Sequence, residues 1–586
     1  MSCWDKFVQK LIELLLICYN NTKKEQKMKK LPYGISDFKL LRESDYYFID
    51  KTKHIETLES LERFSMFLRP RRFGKSLFLA VLEAYYDVNY APLFDTLFKD
   101  TYIGKNPTKE KNSYHILRFD FSGVSVEDVH ESFKHNVKLV VNSFIRNYNL
   151  DVKMEENPKF TIENIINYFK DYPDKKLYIL IDEYDHFANR LLLLDKTDYK
   201  DVVSEKTAFF KEFFTLLKAG TSGNNAPISK MFITGVTPMV MYDVTSGFNI
   251  GKNLSLNPKL NDMIGINEEE LDKMIDYYDV EDIDRGVLKE WYNNYRFSQH
   301  TEQRVYNTDM ILYYLQHHID FAQAPDELID INVRSDYSKL RHIVYTNNKL
   351  NGNFQSLQTL IGGDSVSIDT LVQDFSALNL SKEENFKSLM FYLGLVTIKD
   401  SGLRLNLTIP NETIKRIDID FLKDSLEYED IFNLKTAKLS DNLEKFALEG
   451  NIKVFKYLAN EIKNATGLRD YIYNEQSVKS MLLAYLSLTP YYVIKSEAEL
   501  NKGFSDIFIK PLSPYVKYFA IVEIKYIQKN HKPTKEEIEK LKKEAKEQLQ
   551  RYENDELVTE HIQNDKILKK IVLVFHGWDL LVCEEV

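Results

Sequence analysis

The sequence predicts a multidomain α/β protein, and three observations carry that prediction. The chain has 586 residues, too many for one hydrophobic core. From about Leu31 to Gly247, short β-rich runs alternate with helical stretches, the pattern of a largely parallel sheet flanked by helices. A second α/β unit begins near Tyr491, beyond a long helical middle. Hydrophobic residues at 44% and charged residues at 28% suit a folded chain, and 37 Tyr and 36 Phe supply apolar surface for several cores.

The elements follow in order. Residues 1–30 are expected as an extension carrying an amphipathic helix, FVQKLIELLLIC (7–18), with Met28 as a second candidate start. That segment is interrupted by Lys10 and Glu13, is too short to span a bilayer, and has no small-residue cleavage site after it. A first α/β domain is placed at 31–250. Its strands are expected at 63–68, 114–121, 177–182 and 230–236, and its helices at 76–87, 126–148 and 208–220. A helical lid is expected at 251–345. Within 346–430, FKSLMFYLGLVTIKDSGLRLNLTIPNETIKRI (386–417) reads as helix, two strands joined at Asp400-Ser401-Gly402, and helix, either a winged-helix-like unit or a plain connector domain. A helical connector follows at 431–480, and the last α/β domain at 481–586 has strands at 490–497, 505–511, 518–526 and 570–577.

Composition excludes several classes. A net charge of −10 argues against a polyanion binder held by overall charge, so any nucleic-acid contact needs a local basic surface. The cysteines Cys3, Cys18 and Cys583 are far apart and form no CxxC, which argues against a disulfide framework or a zinc site and for a reducing, cytoplasmic setting. No GxSxG, no HExxH and no metal-spaced His/Cys cluster is present.

Two constellations carry chemistry. The first is FLRPRRFGKSLFLAVL, an apolar strand running into an apolar helix with Gly74-Lys75-Ser76 at the junction. A phosphate-binding loop needs these residues there. Gly lets backbone amides approach the phosphates, Lys reaches the β and γ phosphates, and Ser ligates Mg²⁺. The full pattern wants Gly at position 69, where this chain has Arg69. LYILIDEYD supplies the partner motif. Its strand ends at Asp182, expected to hold Mg²⁺, and Glu183, expected to orient or deprotonate the attacking water.

The second constellation is Asp506 in GFSDIFIK and Glu523-Ile524-Lys525 in AIVEIKY. Metal-dependent phosphodiester cleavage needs two carboxylates converging on Mg²⁺ and a cation near the attacking water. Residues 523 and 525 share one face of a strand, and Asp506 on the neighbouring hairpin strand can meet them. The Lys-rich helix at 534–552 reads mainly as a solvated face laced with ion pairs.

The chain resembles the AAA-ATPase-like proteins that carry a C-terminal PD-(D/E)XK domain. The resemblance rests on LPYGISDF (31–38), YYFIDKT (46–52), RPRRFGKS (69–76), ILIDEYD (179–185), ITGVTPM (233–239), VTSGFN (244–249) and WYNNYRF (291–297). In that family the first P-loop Gly is commonly replaced, as it is at Arg69. The resemblance implies that Thr234 sits in the sensor-1 position near the γ-phosphate, against the plain reading of a strand-end Thr satisfying a turn. It also implies that Glu475, Glu497 and Gln548 line the Asp506/Glu523/Lys525 pocket. WYNNYRF departs from the commoner WYNGYRF at Asn294, a residue that tolerates left-handed backbone. Arg296 is expected to stack on Trp291 or Tyr295 rather than to touch nucleotide. The function expected is ATP hydrolysis gating Mg²⁺-dependent cleavage of DNA or RNA. The alternative is a nucleotide-dependent signalling switch or nucleic-acid-binding module without cleavage. ATP and Mg²⁺ are the expected cofactors, no membrane partner is expected, and a homo-oligomer is left open.

Overall fold

The computed structural model describes residues 28–586 except 126–127, 187–207, 224, 240–249, 281, 331, 334–344, 347–348, 351, 377–378, 381, 429–433, 466–473, 490, 502 and 514. The segment expected as an amphipathic helix, Cys3, Cys18 and VTSGFN lie outside the described residues.

The four apolar runs of the first domain fold as β1 (Phe64–Leu68), β2 (His115–Asp120), β3 (Leu177–Asp182) and β4 (Ile228–Gly235). They form one parallel sheet with β5 (Lys252–Asn253), in the order β2-β3-β4-β1-β5. Every residue of β3 is buried, the signature of a central parallel strand covered on both faces. The helix Val129–Asn147 buries Val129, Phe133, Val137, Val141 and Phe144 along one stripe, and its N-cap Asp128 accepts from Glu131 N. Asn157 and Pro158 start the helix Pro158–Asp171 with a side-chain cap and a preset φ.

The lid contains helices Glu268–Tyr278, Arg285–Tyr292 and Thr308–Phe321. It docks on the P-loop through backbone: Gly265 N donates to Phe73 O at 3.1 Å, and Asp309 N to Arg72 O at 3.3 Å. These bonds place it against the P-loop, at the carboxyl edge of the sheet.

A small hairpin, β6 (Tyr345–Thr346) and β7 (Lys349–Leu350), precedes the middle unit. There the helix Gly352–Ile361 leads to β8 (Val366–Ile368), helix Glu383–Leu393, the strands β9 (Thr397–Ser401) and β10 (Leu405–Thr408), and helix Glu412–Tyr428. The expected helix-plus-hairpin is present, enlarged by β8 into an antiparallel sheet of order β8-β10-β9. Helices Thr436–Glu449, Lys453–Asn464 and Glu475–Leu486 lead to the last domain.

That domain is a mixed sheet of β11 (Tyr492–Leu500), β12 (Gly503–Pro511), β13 (Tyr518–Ile527), β14 (Ile567–His576) and β15 (Asp579–Glu585), in that order. Only β13 and β14 pair in parallel, and helices Lys535–Tyr552 and Glu556–Gln563 make the crossover between them. One face of the sheet packs under Ala545, Leu549 and Tyr552 of that crossover. The other joins the large core shared with the rest of the chain. β5 and β15 were not expected. β5 has only two residues, too few to show a period, and β15 shows no alternation of apolar and polar residues.

Candidate active sites

Gly74 opens the helix Lys75–Tyr86 in a left-handed conformation (φ 101°), and Arg72 is left-handed too (φ 66°). Backbone turned in this way presents successive N–H groups to one side, a concavity suited to an anion. Lys75 is buried, and its Nζ donates to Arg69 O and Pro70 O, both at 3.1 Å. The ammonium also lies 3.7 Å from Glu183 Oε1. Lys75 and Asp182 are thus on the same edge of the sheet, the geometry the nucleotide reading requires.

At the end of β3, Asp182 Oδ1 accepts from Thr234 Oγ1 at 2.6 Å and from Glu183 N at 3.0 Å. Thr234 therefore serves no turn. Its hydroxyl orients the Asp182 carboxylate. Arg118 on β2, a residue the sequence did not single out, reaches 3.9 Å from Asp182 Oδ2 while pairing with Glu83 at 2.8 Å. Glu183 has positive φ (49°), and burial pushes its carboxyl above the usual range while Lys75 pulls it down. Two residues on, Asp185 accepts from Val236 N, Thr237 N and Thr237 Oγ1, fixing the turn after β4.

Beside these groups lies a cavity of about 540 Å³ whose lining includes Gly74, Lys75, Ser76 and Glu183. Its lining also includes the apolar side chains of Pro32, Ile35, Phe48, Ile49, Ile264 and Leu312 and the charged ones of Lys51, Arg71, Arg72 and Asp309. LPYGISDF and YYFIDKT therefore build a wall of this same cavity, a role that motif matching alone did not reveal. A buried ammonium, further cationic side chains and apolar side chains around one cavity are a lining that fits a nucleoside triphosphate. The oxygen donors of Ser76 and Asp182 fit a hard cation such as Mg²⁺.

Arg69 explains itself. It is 1% exposed, its guanidinium lies 4.2 Å from both the Phe67 and Phe297 rings, and it donates to Leu68 O, Ser255 O and Leu260 O. Burial draws it down to about 9. It ties the P-loop to the lid rather than touching the cavity. Asn294 is left-handed at φ 76°, the geometry its substitution for Gly requires. The expectation for Arg296 is corrected. Its guanidinium is buried on Ser298 O, Lys399 O and Gln299 O, and Arg416 is the residue that stacks on Trp291, at 4.7 Å. The ring position is taken from helix Glu412–Tyr428, a contact no local spacing could show.

In the last domain the β12-β13 hairpin places Asp506 beside Glu523. Asp506 Oδ2 accepts from Ile524 N at 2.7 Å, and Glu523 Oε1 lies 3.4 Å from Asp506 N. Lys525 Nζ stands 3.3 Å from Glu523 Oε2, on the shared strand face. Glu523 is 1% exposed, and burial followed by the neighbouring Asp506 charge pushes it up to about 8. Glu475, the first residue of helix Glu475–Leu486, is raised by burial and by Asp506. Gln548 lies with Lys525 along an open groove that also includes Arg551 and Asn501. Glu497, left-handed at φ 50°, pairs instead with Lys479, a buried cation that the sequence did not flag. Among the described residues, no three His, Cys, Asp or Glu side chains are grouped to hold a metal ion. The pair Asp506 and Glu523 nevertheless fits a hard cation: both offer oxygen donors, and a buried carboxylate pair gains from a divalent counter-charge.

Comparison with known proteins agrees with both halves. A family model described as "Predicted AAA-ATPase" matches residues 32–245, and a PD-(D/E)XK nuclease superfamily model matches 473–585. The chain joins a AAA-ATPase-like domain to a PD-(D/E)XK nuclease-superfamily domain. A protein of Azotobacter chroococcum mcd 1, described as an uncharacterized protein in the vnfD 5' region, is 25% identical over 287 residues. That match covers 48% of this chain and spans about half of the relative, 51%. Among solved structures, the Aeropyrum pernix ORC2 protein aligns with 69% of this chain and 97% of its own, at 9% identity and TM-score 0.32. Cdc6p from Pyrobaculum aerophilum aligns with 62% and 88%, at 10% identity and TM-score 0.24. Among the described residues, no helix is long and apolar enough to cross a membrane. In the AAA-ATPase-like domain the sequence-expected residues converge at the carboxyl edge. In the nuclease-superfamily domain Asp506, Glu523 and Lys525 converge, while Glu497 is drawn aside.

Proposed function

We propose that the AAA-ATPase-like domain binds and hydrolyses ATP with Mg²⁺, and that this gates Mg²⁺-dependent cleavage of DNA or RNA by the C-terminal domain in the cytoplasm. The observation that carries the reading is Lys75. Its buried ammonium is held by two backbone carbonyls in the lining of a cavity that also presents Arg71, Arg72 and apolar side chains. Phosphate oxygens can replace those carbonyls as charge-assisted partners. Gly74, Lys75, Ser76 and Asp182 are assigned to nucleotide and Mg²⁺, and Thr234 holds Asp182 in place for that task. Glu183 is assigned as the base, since its raised carboxyl sits beside Lys75, where an attacking water would lie.

In the second site, Asp506 and Glu523 would hold Mg²⁺, which supplies charge stabilisation to the phosphodiester when bound. Lys525 orients the water from the same strand face, and Glu475 and Gln548 line the approach. One unit touches both sites. Gly394 at the end of helix Glu383–Leu393 abuts Pro70 of the P-loop, and Gly363 after helix Gly352–Ile361 abuts Ser496 beside Glu497. That shared contact supports gating. It equally supports the second reading, a nucleotide-dependent switch whose C-terminal domain binds nucleic acid without cutting it.

The test is calorimetry of ATP binding in Lys75→Ala. Loss of the cation should weaken binding by at least about 100-fold, ~3 kcal/mol. Wild-type affinity in that variant sinks the nucleotide site. Cleavage of labelled DNA or RNA in Mg²⁺ against EDTA then separates the two readings of the second domain.

A further inference from the structure

Helix Glu475–Leu486 is buried on nearly all sides, yet it carries Lys479 at 2% exposure. A buried ammonium needs partners, and its partners here are the carboxylates of the second site. Lys479 Nζ pairs with Glu497 and lies 3.9 Å from Asp506 Oδ1. Glu475, one helical turn earlier, shares its face, and Glu523 and Asp364 are within its electrostatic reach.

Glu497 owes its position to a break in the sheet. Ser496 pairs with Ile507 and Ala498 with Ser505, but Glu497 and Asp506 between them do not pair, and Glu497 is left-handed. The break turns the Glu497 carboxylate toward Lys479. Gly363 of the middle unit presses on this spot: a Cβ there would lie 2.1 Å from Ser496 Oγ. The ammonium is thus fixed from three elements, and it is not a side chain swinging in solvent.

We propose that Lys479 is a resident cation of the nuclease-superfamily pocket, occupying the place beside Asp506 and Glu497 that a second divalent ion would take. The pocket therefore accepts a single divalent ion, between Asp506 and Glu523, with Lys525 on its far side. This rests on the reading of Asp506 and Glu523 as metal-holding residues. A fixed positive charge next to Asp506 repels a second ion, and it also removes Glu497 from the set of available donors.

The test counts ions in the full chain without nucleotide, using Mn²⁺ followed by electron paramagnetic resonance. In the wild type, one Mn²⁺ should be lost on Asp506→Asn, and at saturation the spectrum should show an isolated ion with resolved hyperfine lines. Lys479→Met should take two Mn²⁺ at this pocket and lose those lines, because ions about 4 Å apart couple magnetically. Lys479→Arg, which keeps the charge, should still take one. A coupled pair in the wild type, or a single ion in a folded Lys479→Met, overturns the role of Lys479. The wild-type spectrum decides even if Lys479→Met does not fold. A wild type with no Mn²⁺ sensitive to Asp506→Asn overturns the metal reading itself, and the inference with it.

Discussion

The two sites solve the same problem, a buried charge, in opposite ways. At the P-loop, Lys75 is held by the carbonyls of Arg69 and Pro70, so the loop backbone does most of the positioning. In the C-terminal pocket the Ile524 and Asp506 amides hold the two carboxylates, but the charges themselves are met by side chains, with Lys479, Lys525, Glu497, Asp506 and Glu523 positioning one another. A backbone-built site depends on a few residues at fixed spacing and tolerates change around them. A side-chain-built site depends on every member, because removing one leaves its partners buried and uncompensated.

That contrast can be broken by crossing the sites. Glu183→Gln should keep ATP binding and reduce hydrolysis by about 10³-fold, as expected for loss of a general base. Asp506→Ala and Lys525→Ala should reduce cleavage by a similar order while leaving ATP affinity unchanged. Cleavage assays and calorimetry on the same preparations check both. If Asp506→Ala weakens ATP binding, the sites are not separate, and if cleavage persists in both C-terminal variants, it arises elsewhere.

A smaller effect sharpens the backbone side of the comparison. Arg69→Met removes the guanidinium that joins Leu68 O, Ser255 O and Leu260 O and that stacks between two rings. Buried carbonyls left unpaired should cost about 3 kcal/mol of stability. Denaturant melts should show that loss, with ATP affinity falling as well because the loop loses its tie to the lid. An unchanged midpoint would show that the tie contributes nothing.

The smallest effect concerns pH. His54 is buried against Asp262 at 3.5 Å, with Lys51, Lys53 and the Lys259 backbone also facing it. Burial holds its imidazole down at about 4, against 6.5 when unfolded. A depressed folded pKa contributes stability that is present above 6.5 and lost as pH falls toward 4. Between pH 8 and 5 this group alone should remove about 2 kcal/mol. His54→Gln should flatten that part of the stability profile, measured by urea melts across the range, and an identical slope in both proteins would refute the assignment.

How much of this was legible in sequence follows the same divide. β1 to β4 were readable because buried parallel strands are largely apolar, and β1, β2 and β3 are each followed by a helical period. GKS and IDE were readable because a backbone-built site leaves a short, contiguous signature. D…ExK was readable because its residues sit on one hairpin. Lys479 was not, since its partners on β11 and β12 are brought to it only by folding, and in the sequence it is one lysine among many. Arg416 on Trp291 was missed for the same reason, being supplied by a helix more than a hundred residues away. Arg69 looked like a departure from a motif, and only the lid shows what it holds.

The Arg69 clamp also has a kinetic side. Because one guanidinium is bonded to both the strand before the P-loop and the lid segment around Ser255 and Leu260, the loop cannot loosen around a ligand unless the lid shifts with it. If the site holds a nucleotide as proposed, its escape would be a concerted event that requires the lid to detach. On the proposed reading, residence time at this site would depend on a contact that the ligand never touches.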